Sequence, residues 1–72
     1  MKLLIFRTDI KTKKKVKHIS PLFRRFSNIH KWYIDLEDVD NVLKIEASGN
    51  LTENDVVKFV NSMGFYCEPL PE

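Results

Sequence analysis

Two apolar stripes at helical spacing, separated by segments of alternating polarity, constrain the fold of this chain more than any other feature. Residues three and four apart lie on one face of an α-helix, so each stripe predicts an amphipathic helix. The first stripe consists of Val16, Ile19, Phe23 and Phe26. The second consists of Val56, Phe59, Val60 and Met63. We therefore expect two helices, each of which buries one face.

The first stripe predicts a helix over residues 13–26, although Pro21 interrupts it. Proline in a helix interior removes a backbone hydrogen bond and kinks the helix. In an alternative interpretation the helix begins later, with Ser20 as the N-cap and Pro21 as the first helical residue. Because the apolar pattern extends back to Val16, the sequence favours one kinked helix. The second helix has a candidate capping box in Thr52 and Asp55, and Gly64 suits the position after its end.

Four segments have the apolar or alternating pattern of β-strands. They are KLLIFRT at residues 2–8, IHKWYIDLE at 29–37, VLKIEA at 42–47 and FYCEPL at 65–70. The order β-α-β-β-α-β predicts an α+β, ferredoxin-like fold, with two helices on one face of a four-stranded antiparallel sheet in the order 4-1-3-2. The strand side chains expected in the core are Leu4, Phe6, Thr8, Ile10, Trp32, Ile34, Leu36, Leu43, Ile45, Ala47 and Cys67.

The length of 72 residues suits a single domain over residues 1–72, with a tail from about residue 69. The one cysteine, Cys67, cannot form an internal disulfide and suggests a reducing compartment, so a cytoplasmic location is expected. The opening run MKLLIF is too short for a signal peptide or for the roughly 20 residues of a membrane span, so no membrane association is expected.

Charge is distributed unevenly along the chain. Residues 1–34 contain ten Lys or Arg and one acid, a net +9, whereas residues 35–72 contain two lysines and nine acids, a net −7. The up-down order of the elements nevertheless brings Glu37, Asp38 and Asp40 to the same end of the molecule as the lysines of residues 11–17. The two halves are therefore not expected to form separate charged poles.

No catalytic group is apparent in the sequence. It offers no nucleophile–base pair and no paired carboxylates that this topology would bring into one cleft. We therefore expect neither an enzyme nor a cofactor.

The segments WYIDLED, VLKIEAS and VNSMGFYCEPL, together with the first strand, resemble the heavy-metal-associated domains of copper chaperones and metal-transporting ATPases. The resemblance covers residues 2 to about 70 and implies the ferredoxin-like fold. It also implies a metal-binding M-x-C-x-x-C motif in the loop before the first helix. In this chain Ile10 falls on the methionine position, Thr12 on the first cysteine position and Lys15 on the second.

The loss of both cysteines removes the chemistry that the resemblance implies. Thiolate and thioether ligands select Cu(I), and protonated lysine has no lone pair to replace them. The remaining candidate ligands, His18, His30, Met63 and Cys67, are not expected to converge. The sequence therefore predicts a degenerate metal site, and a copper or heavy-metal carrier with unconventional ligands is the alternative.

The lysine run IKTKKKVK presents five ammonium groups at the start of the first helix. The five residues are Lys11, Lys13, Lys14, Lys15 and Lys17. They form either a solvated loop or a site for an anionic or acidic protein partner. We expect a non-catalytic binding or adaptor domain with a protein partner.

Nucleic acid is a further alternative for the lysine run, because RNA-recognition domains share this topology. Those domains stack bases on aromatic residues of the sheet. The third strand, NVLKIEA, has no aromatic residue, which argues against nucleic-acid binding.

The strand alternation sends a second set of residues to the uncovered face of the sheet. Leu3, Ile5, Val42 and Tyr66 are expected to be neighbours there. They form either an association surface or a set of ordinary exposed strand residues.

Overall fold

The computed structural model describes residues 1–71 and contains the six elements in the predicted order. They are β1 (Lys2–Thr8), α1 (Lys13–Arg24), β2 (Ile29–Ile34), β3 (Leu43–Ala47), α2 (Glu53–Ser62) and β4 (Cys67–Pro69). The strands form one sheet in the order β2-β3-β1-β4, and every neighbouring pair is antiparallel. The predicted ferredoxin-like fold and strand order are confirmed. Within residues 1–71, none of the helices has the length and apolar character needed to cross a membrane.

The core lies between the sheet and the two helices, as the alternating pattern predicts. Its buried apolar residues are Leu4, Phe6, Ile10, Ile19, Phe23, Leu43, Ile45, Ala47, Leu51, Val56, Val60 and Cys67. Trp32 and Ile34 are half-buried and pack against this core. The ring centroids of Trp32 and Phe23 lie 4.6 Å apart, so the edge strand β2 is attached to α1 through aromatic packing.

Thr8 is the one polar side chain that β1 sends into the core. Its hydroxyl donates to the Asn41 carbonyl at 2.7 Å and accepts from the Ile10 N–H at 3.2 Å. Burying a hydroxyl is costly unless it is hydrogen-bonded, and both bonds meet that requirement. Thr8 thereby joins the end of β1 to the turn between β2 and β3.

Helix α1 runs without interruption through Pro21, so the start at Ser20 is excluded. It ends at Arg24, two residues before the predicted end. The reason is local: the Arg25 N–H donates to the Leu22 carbonyl at 3.2 Å, a three-residue bond that tightens and closes the last turn.

The start and end of α2 follow the prediction. The Asp55 N–H donates to Thr52 Oγ1 at 3.2 Å, and the Thr52 N–H donates to Asp55 Oδ2 at 3.0 Å. Both halves of the capping box are therefore present, and the Thr52 bonds hold the pKa of Asp55 below its ordinary value. Gly64 follows the helix with a φ of 88°, which glycine adopts most readily.

Strands β2 and β4 are shorter than predicted. β2 ends at Ile34 because the Asp35 carboxylate accepts from the Glu37 N–H at 3.1 Å and starts a turn. β4 covers three residues, and Pro69 lies inside it opposite Phe6. The backbone remains attached one residue further on, where the Leu70 N–H donates to the Ile5 carbonyl at 2.9 Å.

Candidate functional site: the loop between β1 and α1

The loop from β1 to α1 is anchored at both of its ends. Ile10, which the resemblance assigns to the methionine position, is fully buried in the core. Thr12 has extended backbone angles and is the N-cap of α1. A core anchor on one side and a helix cap on the other hold residues 11–15 in place.

The two positions that the sequence resemblance assigns to metal-binding cysteines are joined by a hydrogen bond. The Lys15 backbone N–H donates to Thr12 Oγ1 at 3.1 Å. This bond satisfies one of the free N–H groups at the start of a helix. The Lys15 side chain is exposed and takes no part in it.

All five lysines of the loop and first helical turns are exposed, as predicted. The first turn of α1 contains no acidic residue, so three lysines face the positive end of the helix dipole without compensation. Within residues 1–71, one ion pair is formed, between Arg7 Nε and Asp40 Oδ1 at 3.2 Å. None of the five lysines takes part in it. Their charge is therefore available to a ligand.

The acidic turn lies at the same end of the sheet as the lysines, in agreement with the sequence. The Thr8 N–H donates to the Asp40 carbonyl at 3.1 Å, which places the turn beside the end of β1. Asp40 is already bound to Arg7. The charges of this turn therefore lie close to the lysines but do not neutralise them through direct contacts.

A shallow cavity of about 610 Å3 lies beside the lysines and was not foreseen from the sequence. Its lining residues are Thr12, Lys14, Lys15, Lys17, His18 and Phe65. The His18 ring meets the Phe65 ring edge-on, with centroids 6.1 Å apart. A topological signal for Phe65 was available: it lies two residues before Cys67, the first residue of β4, and Cys67 pairs with Thr8 at the end of β1.

The candidate metal ligands each make a different contact. His30 Nε2 lies 2.8 Å from Ser48 Oγ, and His18 packs against Phe65. Met63 packs against the core, and Cys67 is a buried free thiol whose pKa is raised to about 12 by burial. Across residues 1–71, no three His, Cys, Asp or Glu side chains are grouped so that they could hold a metal ion. The donor set does not fit Cu(I), which prefers sulfur ligands.

The predicted apolar group on the open face of the sheet is not contiguous. Leu3 and Ile5 are alternate residues of β1 and share a face, and their partners across β3 are Glu46 and Lys44. Val42 was expected to be exposed and is half-buried. Tyr66 donates its hydroxyl proton to Glu68, and its backbone N–H donates to the Asp9 carboxylate. Asp9 lies six positions, or roughly 20 Å, along the chain from Leu3. The register of the strands thus corrects the expectation for Tyr66, which is not a neighbour of Leu3.

Comparison with known proteins shows a likeness of structure and not of sequence. No protein-family model matches the sequence, and no curated protein does. The fold resembles the solution structure of the Atx1-Cu(I)-Ccc2a complex, with a TM-score of 0.85 and 19% identity over 99% of this chain and 97% of the other. It also resembles the yeast copper transporter domain Ccc2a in the apo and Cu(I)-loaded states, with a TM-score of 0.83, 19% identity and the same coverages.

A third similar structure is the CsoZ metallochaperone, with a TM-score of 0.76 and 15% identity over 93% of this chain and 96% of the other. The likeness extends over nearly the whole length of each protein. The chain therefore has the ferredoxin-like fold of these copper-handling domains.

Proposed function

We propose that this protein is a non-catalytic binding domain with a metallochaperone fold, whose lysine-rich loop contacts an acidic surface of a protein partner. The observation that carries the proposal is the replacement of both thiol positions by Thr12 and Lys15, which are joined by a helix cap. The loop in which the resemblance implies a metal site therefore presents a positively charged surface.

Electrostatics supports an acidic partner. Two thiolates around Cu(I) have a net charge of −1, whereas this loop presents five exposed ammonium groups that form no ion pair with any residue of the described range 1–71. A partner surface that complements the first charge is positive and would be repelled by the lysines, so specificity moves toward carboxylates or phosphorylated side chains. One similar structure is a complex of Atx1, Cu(I) and Ccc2a, so a domain of this fold does associate with a protein. The free thiol of Cys67 suits a reducing compartment such as the cytoplasm.

The test measures binding of a labelled poly-glutamate peptide by fluorescence anisotropy. We expect Lys13→Glu, Lys14→Glu and Lys15→Glu together to abolish binding. A matched control changes Arg24, Arg25 and Lys58 to glutamate, which removes the same charge from exposed sites outside the loop. The control should retain most of the affinity, and added salt should weaken binding steeply because the contacts lie at the surface.

Equal losses in the two triple variants would contradict the proposal, because they would show an effect of net charge alone. Tighter binding of single-stranded RNA than of the acidic peptide would favour a nucleic-acid function. The structural likeness to copper-handling domains favours one other candidate, a metal carrier with unconventional ligands. A submicromolar one-to-one Cu(I) complex of the native protein would establish that candidate instead.

A further inference from the structure

The free edge of the sheet at β2 lies beside an apolar groove. β2 is the first strand in the order β2-β3-β1-β4, and no strand within residues 1–71 pairs with its outer side. The opposite edge, β4, is three residues long and contains Pro69, features that discourage pairing. β2 covers six residues, Ile29–Ile34, and contains no proline. It is therefore the edge that is competent to accept another strand.

The register of β2 and β3 identifies the backbone groups on this edge. The Asp35 N–H donates to the Val42 carbonyl at 2.9 Å, so Asp35 faces β3. Residues of an antiparallel pair alternate in direction, so Tyr33 also faces β3, whereas Trp32 and Ile34 turn their N–H and carbonyl groups outward. Two residues thus present unpaired donors and acceptors.

The side chains of these same two residues form the floor of the groove. Trp32 and Ile34 lie opposite Ile45 and Leu43, which are buried on the helix side of the sheet. The groove has a volume of about 350 Å3 between α1 and β2, and its lining residues are Lys13, Val16, Lys17, Trp32, Tyr33, Ile34 and Leu36. An added strand would hydrogen-bond to Trp32 and Ile34 and place its own side chains in this groove.

We infer that the β2 edge binds an extended segment of a partner protein as a fifth, antiparallel strand, in which apolar residues alternate with acidic ones. Directly opposite residues of antiparallel strands share a face, so residues opposite Trp32 and Ile34 enter the groove and should be apolar. Residues on the other face lie beside the exposed Lys31, and the groove itself is flanked by Lys13 and Lys17. Carboxylates on that other face match Lys31.

The charge of α1 argues for such a partner and against a second copy of this chain. α1 contains five basic residues and no acidic residue. Antiparallel pairing of two β2 strands would place two of these helices side by side, with Lys13 and Lys17 of each copy near Arg24 of the other. An acidic strand meets the same surface with opposite charge. The inference deepens the proposed function and rests on it, since the positive charge of α1 that attracts an acidic segment belongs to the same lysine run.

The probe is a short capped peptide in which glutamate alternates with leucine, prepared with backbone N-methyl groups either on the leucines or on the glutamates. Leucine amides face β2 in the expected register, so their methylation should weaken binding roughly tenfold or more, because two hydrogen bonds are lost. Glutamate amides face away, and their methylation should change the affinity less than about threefold.

Hydrogen exchange of the complex gives a second readout on the native protein. Amide protons of Trp32 and Ile34 should exchange at least about tenfold more slowly with the unmethylated peptide, as expected for newly formed hydrogen bonds. The Tyr33 and Asp35 amides face β3 already and serve as internal controls. Equal binding of the two methylated peptides, weaker binding of the glutamate-methylated one, or dimerisation of the peptide-free protein through β2 would overturn the inference.

The outcomes separate the inference from the proposed function. Suppose that the alternating peptide binds in a salt-dependent manner, that the triple-glutamate variant does not bind it, and that methylation has no selective effect. The lysine site then stands and the added strand does not. If methylation is selective and the triple-glutamate variant still protects Trp32 and Ile34, the added strand stands and the lysine site does not.

Discussion

The Lys15 backbone N–H donates to Thr12 Oγ1 at 3.1 Å, so the two positions to which the sequence resemblance assigns metal-binding thiolates are joined by a helix N-cap. A metal ion bridging two thiolates would tie this loop to the start of the helix from outside. In this protein the Thr12 hydroxyl binds the start of the helix directly. The Lys15 side chain remains exposed and is available for another contact.

Replacing Thr12 should reveal how much this cap contributes. We expect Thr12→Ala to lower the free energy of unfolding by about 1 kcal/mol, the usual cost of losing an N-cap acceptor. Thr12→Ser keeps the acceptor and should remain close to the native protein. Urea unfolding monitored by circular dichroism gives both values, and equal stability of the two variants would show that the cap is not energetically important.

Reversing the charge of the first helical turn should stabilise the fold while it removes binding. Glutamates at positions 13, 14 and 15 would face the positive end of the α1 dipole favourably. We expect the free energy of unfolding to rise by roughly 1 kcal/mol at low salt, with a smaller gain at high salt. A loss of stability in urea unfolding would contradict this account and would make the binding result of that variant uninterpretable.

Restoring the two thiols should restore metal binding. Under anaerobic conditions with a competing chelator, we expect the native protein to form no one-to-one Cu(I) complex tighter than micromolar. The double variant Thr12→Cys, Lys15→Cys should form one, because two thiolates at this spacing supply the soft ligands that Cu(I) requires. Failure of the double variant would mean that the loop geometry, and not only the ligand identity, differs from that of a copper site.

Cys67 should behave as an inert core residue. It is 5% exposed, and burial raises the pKa of its thiol from 9.0 to about 12. A thiol reagent at neutral pH should therefore react slowly with the native protein and rapidly in denaturant. Immediate labelling of the native protein would show that β4 does not bury this side chain.

The same shift predicts the pH dependence of stability. The folded protein retains the Cys67 proton where the unfolded chain has lost it, so the stabilisation is complete below pH 9.0 and is lost as the pH rises toward 12. Cys67→Ala should show a smaller decline of stability over this alkaline range, measured by urea unfolding at successive pH values.

The two glycines provide a matched pair for backbone strain and side-chain clash. Gly49 has a φ of 71°, and a methyl group placed on it would lie 2.5 Å from Asn28 Nδ2. Gly64 has a φ of 88° but open space around it. In both Gly→Ala variants the free energy of unfolding should fall by about 1–2 kcal/mol, because alanine is strained in the left-handed backbone conformation.

Gly49→Ala should lower the free energy of unfolding more than Gly64→Ala. The reason is that Asn28 Nδ2 must also move away from the Ser48 carbonyl, to which it donates at 2.9 Å. Thermal unfolding of the two variants gives the difference directly. Equal losses would indicate that the Asn28 side chain moves aside without cost.

Local patterns in the sequence were sufficient to predict the elements and their buried faces. Alternation placed Phe6 and Ile45 in the core, helical spacing placed Ile19 and Val60 there, and the Thr52–Asp55 pair predicted the start of α2. Each of these depends on residues a few positions apart, whose relative directions are set by the geometry of one helix or strand. The absence of cysteines at positions 12 and 15 was likewise readable directly, because ligand chemistry belongs to the residue type.

What the sequence could not determine is which residues of different elements meet. Leu3 and Tyr66 share a face but are separated by the register of β1 and β4, whereas His18 and Phe65 lie far apart in the chain and touch. Trp32 and Ile34 were expected in the core, yet β2 is an edge strand. Their side chains therefore also line a groove, and their backbone N–H and carbonyl groups point away from the sheet. Register and edge position arise only when four strands and two helices pack together, because they depend on pairings between distant segments, and no local periodicity encodes those pairings.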